Sequence, residues 1–434
     1  MKLNRTLNAG LLWGLGVGYV ISGMYFGWNL GLEKGGTLGL AIATAFIILM
    51  YLCFTFSYTE MACAIPRAGG AFDYAGKALG KDAGFITGMA QLIEFVFAPP
   101  AIAFAIGAYL NIFFPQLSIF AIAVSVYILF TALNIYGVKA AARFELIITI
   151  LAVGELLLFA GITLPSFSWD NMTRNAFPNG WEGVMAALPF AIWFFLGIEG
   201  VANVAEETIE PQRNILKGFG SAILTLVVLC VLTFTSAIGV AGWEAIVYTA
   251  EGRVSDSPLP LALSHIVSGN NLMYHLLITI GLLGLVASFH GLILAAGRAS
   301  FEMGRVKLAP AFLGRIHKRF QTPAWALVIN MLIGIVTLYF GNTQEIIKLS
   351  VFGALSLYIL SMYSFLKLRK DFPGLERPFK APFYPYAPVI ALVIAGISLV
   401  AMTYYNLKLA IIYGSILAGS FVIYKFILQK RITA

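Results

Sequence analysis

The chain has 434 residues; 60% of them are hydrophobic, 11% are charged, and the formal net charge is +8. About 260 apolar residues against 48 charged ones exclude a water-soluble enzyme, a coiled coil and a disordered chain. A transmembrane helix uses about 20 apolar residues, so about a dozen helices would account for nearly all of them. The composition therefore predicts an all-α, polytopic membrane protein.

Apolar runs separated by charged residues, glycine or proline predict twelve transmembrane helices, called spans 1 to 12. They cover residues 9–32, 38–64, 83–114, 118–136, 144–164, 183–207, 215–241, 271–300, 323–341, 346–367, 387–405 and 408–427. Segment 243–270 is expected to be a connecting loop, and residues 1–434 to form one membrane domain. Because the first run has no small-residue cleavage site before Glu33, we expect a span rather than a signal peptide.

The basic residues indicate how the chain lies in the membrane. With both termini in the cytoplasm, only five of the 28 Lys and Arg residues fall outside, which the positive-inside rule favours. Those five are Lys34, Arg174, Arg253, Lys348 and Lys408. The dense basic segment 298–319 fits the same rule, and a lipid-headgroup patch is its alternative interpretation. No soluble stretch is long enough to present a basic face to nucleic acid, and all three cysteines lie in apolar runs, which excludes a disulfide scaffold.

Two spans contain glycine-rich runs that predict interrupted helices. Span 1 has five glycines and a serine between Gly14 and Gly27, and a break is expected near residues 21–24. Span 6 has a related run at 193–200, which includes a carboxylate. Equivalent breaks in two five-helix halves of opposite topology are typical of secondary transporters that bind substrate between the breaks. Close packing of small residues is the alternative.

An unwound turn exposes backbone groups that lipid cannot satisfy but a substrate can. Free N–H groups and the positive end of a helix attract anionic or hydroxyl groups, while freed carbonyls accept hydrogen bonds from an ammonium. In span 6 these carbonyls are expected near Phe195 and Leu196.

Four segments resemble signatures of the amino acid-polyamine-organocation (APC) superfamily of transporters. They are YTEMACAIPRAGGAF at 58–72, NIYGVK at 134–139, EETIEPQRNI at 206–215 and RPFKAP at 377–382. The resemblance implies a five-plus-five inverted repeat, with repeats at about 9–164 and 183–367 and two extra helices at about 387–427. It also implies alternating access across broken helices in spans 1 and 6.

Segments 21–31, 92–103 and 287–291 look most like the ethanolamine permease branch of that superfamily. This similarity implies import of ethanolamine or a similar small amine across the cell membrane, the inner membrane in a bacterium. H⁺ is the expected driving ion on family precedent alone.

Two departures from the family pattern bear on function. Typical amino-acid members have Gly-Ser-Gly at the first break, whereas this chain has Ile21, Ser22 and Gly23. A β-branched side chain stiffens the turn and disfavours a carboxylate there, which suits an amine without one. Span 5 lacks the lysine found in many proton-linked members and has only Glu145 and Glu155.

The substrate-site candidates lie at the two breaks and in span 3. Glu94 is expected to pair with a substrate ammonium, and a protonated packing residue is the alternative. Trp193 matches a family aromatic that closes over the substrate. Tyr25, Phe26 and Trp28 can add cation–π contacts, or simply pack. The full set is Ile21, Ser22, Gly23, Tyr25, Glu94, Trp193, Phe195, Leu196, Gly197 and Glu199.

Four ionisable side chains are candidates for proton coupling: Glu94, Glu155, Glu199 and His290. Glu199, inside the second break, either holds the broken backbone or exchanges protons near neutral pH. His290 titrates in the physiological range, or it is a neutral histidine bonded to a neighbouring helix. For Glu155, the choice between a proton site and a cation site stays open.

The remaining motifs concern the cytoplasmic side and the energy source. Glu60 is expected to contact basic residues in a gate or loop, and Glu206, Glu207, Glu210 and Arg213 form either a salt-bridged inner gate or a solvated turn. The chain has no Walker A sequence, and its four histidines lack metal-ligand spacing. We therefore expect no enzymatic activity, metal or cofactor.

Alternatives to amine import remain open at this stage. The nearest is an amino-acid permease or exchanger of the same fold that binds a carboxylate at the first break. A channel or a non-transporting sensor is the alternative from a different class. The oligomeric state is undetermined.

Overall fold

The computed structural model describes residues 5–136, 141–269 and 271–428, in which helices form the regular structure apart from two isolated β-bridges. The α-helices are α1 (Ala9–Val20), α2 (Ser22–Tyr25), α3 (Asn29–Ala64), α4 (Ala71–Leu79), α5 (Lys81–Phe113), α6 (Ile119–Tyr136), α7 (Ala141–Thr163), α8 (Trp169–Thr173), α9 (Gly180–Trp193), α10 (Pro211–Ala241), α11 (Trp243–Val247), α12 (Pro258–Ser264), α13 (Leu272–Arg305), α14 (Ala324–Phe340), α15 (Thr343–Asp371), α16 (Tyr386–Tyr405) and α17 (Leu407–Ile423). Two 3₁₀ segments, Leu164–Ser166 and Ile198–Glu207, and a π-helical segment, Tyr424–Leu428, accompany them. Gly137 and Lys139 of the 134–139 motif lie outside the described residues.

Ten helical segments of the described chain are long and apolar enough to cross a membrane. They are Asn29–Ala64, Lys81–Phe113, Ile119–Tyr136, Arg143–Ser166, Gly180–Glu207, Pro211–Ala241, Leu272–Arg305, Thr343–Asp371, Tyr386–Tyr405 and Leu407–Phe426. Two shorter apolar helices, Ala9–Tyr25 and Ala324–Phe340, fall on predicted spans 1 and 9. The prediction of an all-α, multi-pass membrane protein is therefore confirmed for the described residues.

The helix α1 lies at the centre of the bundle. It packs against α7, α10 and α13, and every residue from Gly14 to Val20 is buried. The outer helices expose large apolar side chains instead, such as Val228 on α10 and Val400 on α16. In a bilayer these side chains contact lipid, because the surrounding solvent is itself apolar. The first broken helix is thus held by protein on all sides.

The break in span 1 begins where it was predicted, because α1 ends at Val20 and the Ser22 N–H bonds to Ser288, and it extends further along the chain. The helix α1 ends at Val20, but Ile21 keeps right-handed helical angles (φ −58°, ψ −23°). The backbone leaves the helix at Phe26 (φ −161°) and Gly27 (φ 87°), and it resumes at Asn29. The glycine-rich run indicated where the helix is interrupted but not how far the break extends. That extent is set by Gly27, because only glycine adopts a positive φ there at little cost.

The segment 243–270 is not the plain loop that was expected, because it contains α11 and α12. Proline at the start of α12 favours a helix, since its missing N–H is unpaired in a first turn anyway. The segment is fixed to the bundle by Asn29, whose side-chain amide donates to the Ser255 carbonyl at 2.9 Å. Thr343 donates to Asp256 at 2.7 Å, and burial raises the pKa of Asp256 to about 6.

A buried ion-pair cluster joins α3, α15 and the segment before α16. Glu60 lies 2.6 Å from Arg369 and 3.2 Å from Arg377, and it accepts a 2.6 Å hydrogen bond from the Ala381 N–H. The Glu60 side chain is only 2% exposed. The cluster therefore connects the two motifs at 58–72 and 377–382. It contains the contact between Glu60 and basic residues that was expected from the sequence.

Replacing Glu60 with glutamine is expected to lower the free energy of unfolding by about 3 kcal/mol, because it leaves two arginines without their buried counter-charge. Denaturant unfolding in detergent micelles, followed by tryptophan fluorescence, measures this change. Glu182→Gln, at an exposed position of α9, is the matched control and should change stability by less than about 0.5 kcal/mol. Equal stability of the two variants would contradict a structural role for the cluster.

Candidate substrate site

The break in span 6 leaves backbone carbonyls without donors. The helix α9 ends at Trp193, Gly197 has a φ of 97°, and the chain continues as the 3₁₀ segment Ile198–Glu207. Among the described residues, no hydrogen bond ends on the carbonyl oxygens of Phe194, Phe195 or Leu196. Buried carbonyls are normally paired, so these three oxygens form an acceptor surface for a ligand.

The corresponding turn in span 1 offers fewer free groups. The Ser22 N–H donates to Ser288 Oγ at 2.9 Å, and the Ser288 hydroxyl donates to the Gly18 carbonyl at 2.6 Å. Ile21 N–H still donates to Val17, as in a regular helix. The side chain of Ser288 on α13 therefore occupies one of the two amides, those of Ser22 and Gly23, that a substrate carboxylate would use.

The two breaks meet at Trp193. A Cβ added to Gly23 would lie 2.5 Å from the Trp193 carbonyl oxygen and 3.0 Å from Phe194 Cα, so the two backbones are in direct contact. The indole N–H of Trp193 donates to the freed Phe26 carbonyl at 3.1 Å, and the Phe26 and Trp193 rings meet edge to face with centroids 5.5 Å apart. Trp193 thus connects the interrupted turn of span 1 to that of span 6.

Two carboxyl groups, Glu94 and Glu199, lie side by side at the second break. Both residues are fully buried, and their carboxyl groups are within hydrogen-bonding range of each other. Tyr358 donates to Glu199 Oε2 at 3.1 Å, and the hydroxyls of Tyr358 and Tyr51 are 2.9 Å apart. Neither oxygen of Glu94 makes a hydrogen bond of good geometry, and its other polar neighbours are the Gly197 N–H and the Tyr358 hydroxyl.

The backbone around Glu94 is held firmly by α15. A Cβ on Gly353 would lie 2.6 Å from the Ala90 carbonyl and 2.8 Å from the Glu94 N atom, so α5 and α15 touch through backbone atoms. Ser350 also donates to the Glu94 carbonyl at 2.8 Å. The Glu94 carboxyl is therefore positioned by packing, while its oxygens stay free to bind.

This arrangement is suited to a cation. Two buried carboxyls cannot both be ionised at contact distance unless a positive charge lies between them, and no Lys, Arg or His among the described residues pairs with either. An ammonium could bind Glu94 and the free carbonyls of the span 6 break together. Protons alone could also neutralise the pair, so the same groups can exchange a proton for a cation.

The ten substrate-site candidates are all buried, but they do not form one cluster. The Tyr25 hydroxyl lies 2.6 Å from Glu155 Oε2, in a separate acidic group. His290 faces Glu145 at 3.3 Å instead of either break. Trp28 stacks on Phe194 with centroids 5.5 Å apart, so it packs behind the break. The structure thus leaves nine of the ten candidates at or beside the two breaks, and Tyr25 alone among the ten bonds to a separate acidic group, at Glu155.

Four residues of these sites were not among the sequence candidates: Tyr51, Tyr358, Ser288 and Glu145. Tyr51 and Tyr358 lie in uninterrupted apolar runs among 19 tyrosines, so no sequence signal distinguishes them. Ser288 lies inside the segment 287–291 that resembles the ethanolamine permease branch. That resemblance was the one sequence feature that could have identified Ser288 as a site residue.

The acidic turn after span 6 is salt-bridged in part. Glu207 lies 3.0 Å from Arg298, and Glu206 accepts from the Ala68 N–H at 3.1 Å. Burial raises the pKa of Asp73, beside this turn, above its ordinary value although Arg67 lies 4.0 Å away. The part of the chain described here shows no ion pair for Glu210 or Arg213.

A multi-pass helical bundle with interrupted helices around a buried polar centre is the architecture of a membrane transporter. The family model described as amino acid permease matches residues 10–429. The chain therefore belongs to the amino acid permease family, and it is a transporter of the permease type rather than an enzyme.

Several curated proteins are similar over most of their length. An uncharacterized transporter of Rhizobium meliloti is 27% identical over 91% of this chain and 86% of its own length. The methylthioribose transporter of Bacillus subtilis is 26% identical over 92% of this chain and 88% of its own. The branched-chain amino acid permease BcaP of the same organism is 27% identical over 90% and 86%.

Proposed function

We propose that the chain is a secondary active transporter that imports ethanolamine or a similar small amine by alternating access, coupled to H⁺. It acts in the cell membrane with both termini in the cytoplasm, an orientation supported by the five outside and 23 inside basic residues. Import on this scheme needs neither cofactor nor metal.

We further propose that residues 1–434 form a single transporter domain of twelve transmembrane helices. Residues 9–164 and 183–367 are its inverted repeats, and residues 387–427 add two helices. The support is the family membership together with one interrupted helix in each half, at Gly27 and at Gly197.

The single observation that carries the substrate class is the asymmetry between the two breaks. The Ser22 N–H of the first break is occupied by Ser288, whereas the carbonyls of the second break accept no hydrogen bond, and the Gly197 N–H of the same turn neighbours the Glu94 carboxyl. A ligand with an ammonium and no carboxylate matches that distribution of donors and acceptors.

In the bound state, the ammonium of the amine contacts Glu94 and the carbonyls at Phe195 and Leu196. Its hydroxyl meets Ser22, Gly23 or a neighbouring polar group. Trp193 closes over the ligand, because it already connects the two breaks through its indole N–H. Glu94, Glu155, Glu199 and His290 remain the candidates for the proton.

A second candidate function is an amino-acid permease or exchanger. It is favoured by the family itself and by the name of the branched-chain amino acid permease among the relatives. A carboxylate at the first break would have to displace Ser288 from the Ser22 N–H. That displacement is the physical difference between the two candidates.

Transport in proteoliposomes tests the proposal. We expect labelled ethanolamine to enter with saturable kinetics, to show counterflow, and to be concentrated by an inward proton gradient without sodium. Flux that does not saturate would indicate a channel, absence of any flux would favour a sensor, and strict dependence on sodium would contradict proton coupling.

Replacing Ser288 with alanine is expected to shift selectivity toward amino acids. The variant frees the Ser22 N–H, and a hydrogen bond to a charged group contributes about 1.5–3 kcal/mol, so alanine should gain roughly tenfold in affinity relative to ethanolamine. Competition binding measures the ratio. Ser361→Ala removes a buried hydroxyl that has no partner among the described residues, and it should leave the ratio unchanged.

A further inference from the structure

Glu155 is a buried carboxyl group with no cation beside it. It lies on α7, is 5% exposed, and forms no ion pair within the described chain. Two ionisable groups face it: Tyr25 from α2, and Tyr109 from α5. The other walls are apolar and come from α7, α12 and α13, with Phe159, Leu259, Pro260, Leu263, Leu277 and Ile278. An ionised carboxylate would be costly in this position.

The Tyr25 hydroxyl has one proton but makes two short contacts with acceptor oxygens, so a second proton is needed for both contacts to be hydrogen bonds. Its hydroxyl lies 2.6 Å from Glu155 Oε2 and 2.9 Å from the Ala152 carbonyl oxygen. A tyrosine hydroxyl donates one hydrogen bond. If Glu155 is ionised, one of these two contacts therefore joins two acceptor oxygens with no proton between them, which is repulsive. With Glu155 protonated, Glu155 donates to Tyr25 and Tyr25 donates to Ala152, and both contacts are favourable.

Tyr25 connects this carboxyl group to the first break. It is the last residue of α2, two positions after Gly23 and directly before the extended Phe26. Tyr109 donates to the Tyr25 carbonyl at 3.1 Å, and a Cβ on Gly284 would lie 2.4 Å from the Tyr25 ring. The ring packs closely against α13 and its residue ends α2, so a change in the hydroxyl's bonding acts next to the backbone of the break.

A small internal cavity lies next to Glu155. It measures about 10 Å³ and lies between Tyr25, Tyr109 and the helix α12. That volume is about the minimum for one water molecule, which would need polar partners such as these hydroxyl and carboxyl groups. A water there would give a proton a carrier to and from Glu155.

We propose that Glu155 binds the proton that drives transport and that the Tyr25 hydroxyl transmits its presence to the break in span 1. The inference rests on the proposed proton coupling and deepens it by separating the proton from the substrate. Proton arrival forms the chain from Glu155 through Tyr25 to Ala152, which holds α2 against α7. Proton loss leaves a carboxylate that takes the single tyrosine proton, so Tyr25 donates to Glu155 and no longer to Ala152.

The other acidic groups are less suited to this role. Glu145 has a titratable partner, His290, at 3.3 Å, so a proton can move within that pair without any change of charge. Glu94 and Glu199 neighbour each other at the second break, where the ammonium is expected. Among these buried acids of the described chain, Glu155 combines isolation from cations with a direct bond to α2 at the first break.

Two measurements on the purified chain test the inference. Glu155→Gln should bind ethanolamine within about twofold of wild type and keep counterflow, since glutamine still bonds to Tyr25. It should lose concentrative uptake driven by a proton gradient. Tyr25→Phe should reduce that uptake, although Glu155 should still bind its proton in this variant. Glu145→Gln is the matched control and should still respond to the gradient.

Infrared difference spectra between acidic and alkaline pH provide a readout that needs no substrate. The protonated-carboxyl band should have the same intensity in wild type and in Tyr25→Phe, and Glu155→Gln should lose one component of it, while the components of the other buried carboxyl groups remain. An unchanged band in Glu155→Gln would overturn the inference, as would gradient-driven uptake lost in Glu145→Gln and kept in Glu155→Gln. Failure of wild type to transport ethanolamine would instead contradict the proposed function, and the infrared result would still decide the proton site.

Discussion

Replacing Glu94 with glutamine is expected to weaken binding of ethanolamine by more than an order of magnitude. A charged hydrogen bond to the ammonium contributes about 1.5–3 kcal/mol, and a neutral amide cannot replace the charge in a buried site. The fold should survive, because the glutamine amide can donate to Glu199, which lies within hydrogen-bonding range, and because Ser350 bonds to the backbone and not to the side chain.

Equilibrium binding of labelled ethanolamine in detergent, with thermal unfolding measured in parallel, checks this prediction. Glu182→Gln makes the same chemical change at an exposed position and should bind like wild type. A Glu94→Gln protein that unfolds normally and binds with unchanged affinity would assign Glu94 to packing and move the cation site elsewhere.

Adding one methyl group at Gly23 is expected to reduce transport by more than tenfold. In Gly23→Ala the new carbon would lie 2.5 Å from the Trp193 carbonyl and 3.0 Å from Phe194 Cα. Both contacts are to backbone, so the two broken helices must separate, and overpacking of this kind typically costs about 1–3 kcal/mol. The separation would displace the substrate carbonyls and the indole of Trp193 together.

The chain offers a matched control for this substitution. Gly154 lies within α7, and a Cβ there would meet nothing within 4 Å. Gly154→Ala should transport like wild type and unfold at an equal or slightly higher temperature, because alanine favours a helix by about 1 kcal/mol over glycine. Uptake by Gly23→Ala equal to that of Gly154→Ala would contradict direct contact of the two breaks during transport.

The sequence predicted much of the fold because a bilayer restricts what a chain can do. Every backbone polar group in lipid must be paired internally, so a long apolar run such as 215–241 can hardly be anything but a helix, and it is α10. The short helices α11 and α12 were missed because they lie outside such runs, where that restriction does not act.

The site was less predictable, because its geometry depends on contacts between distant segments. Glu94 and Glu199 were recognisable as intramembrane acids, but their tyrosine partner, Tyr358, follows Glu199 by 159 positions in an ordinary apolar run. The break in span 1 also depends on contacts between distant segments. Five glycines predicted that the helix is interrupted, but its extension to Gly27 depends on the contact of Trp193 with Phe26 and Gly27. Tyr25 was expected at the substrate, and its bond to Glu155 was not visible in the sequence.

Competition binding on the purified wild-type protein tests the central claim most directly. The claim is that the site between the two breaks recognises an ammonium without a carboxylate. We expect unlabelled ethanolamine to displace labelled ethanolamine, and alanine and serine to fail at equal concentration. Binding of alanine or serine without binding of ethanolamine would contradict the account and assign the site to amino acids.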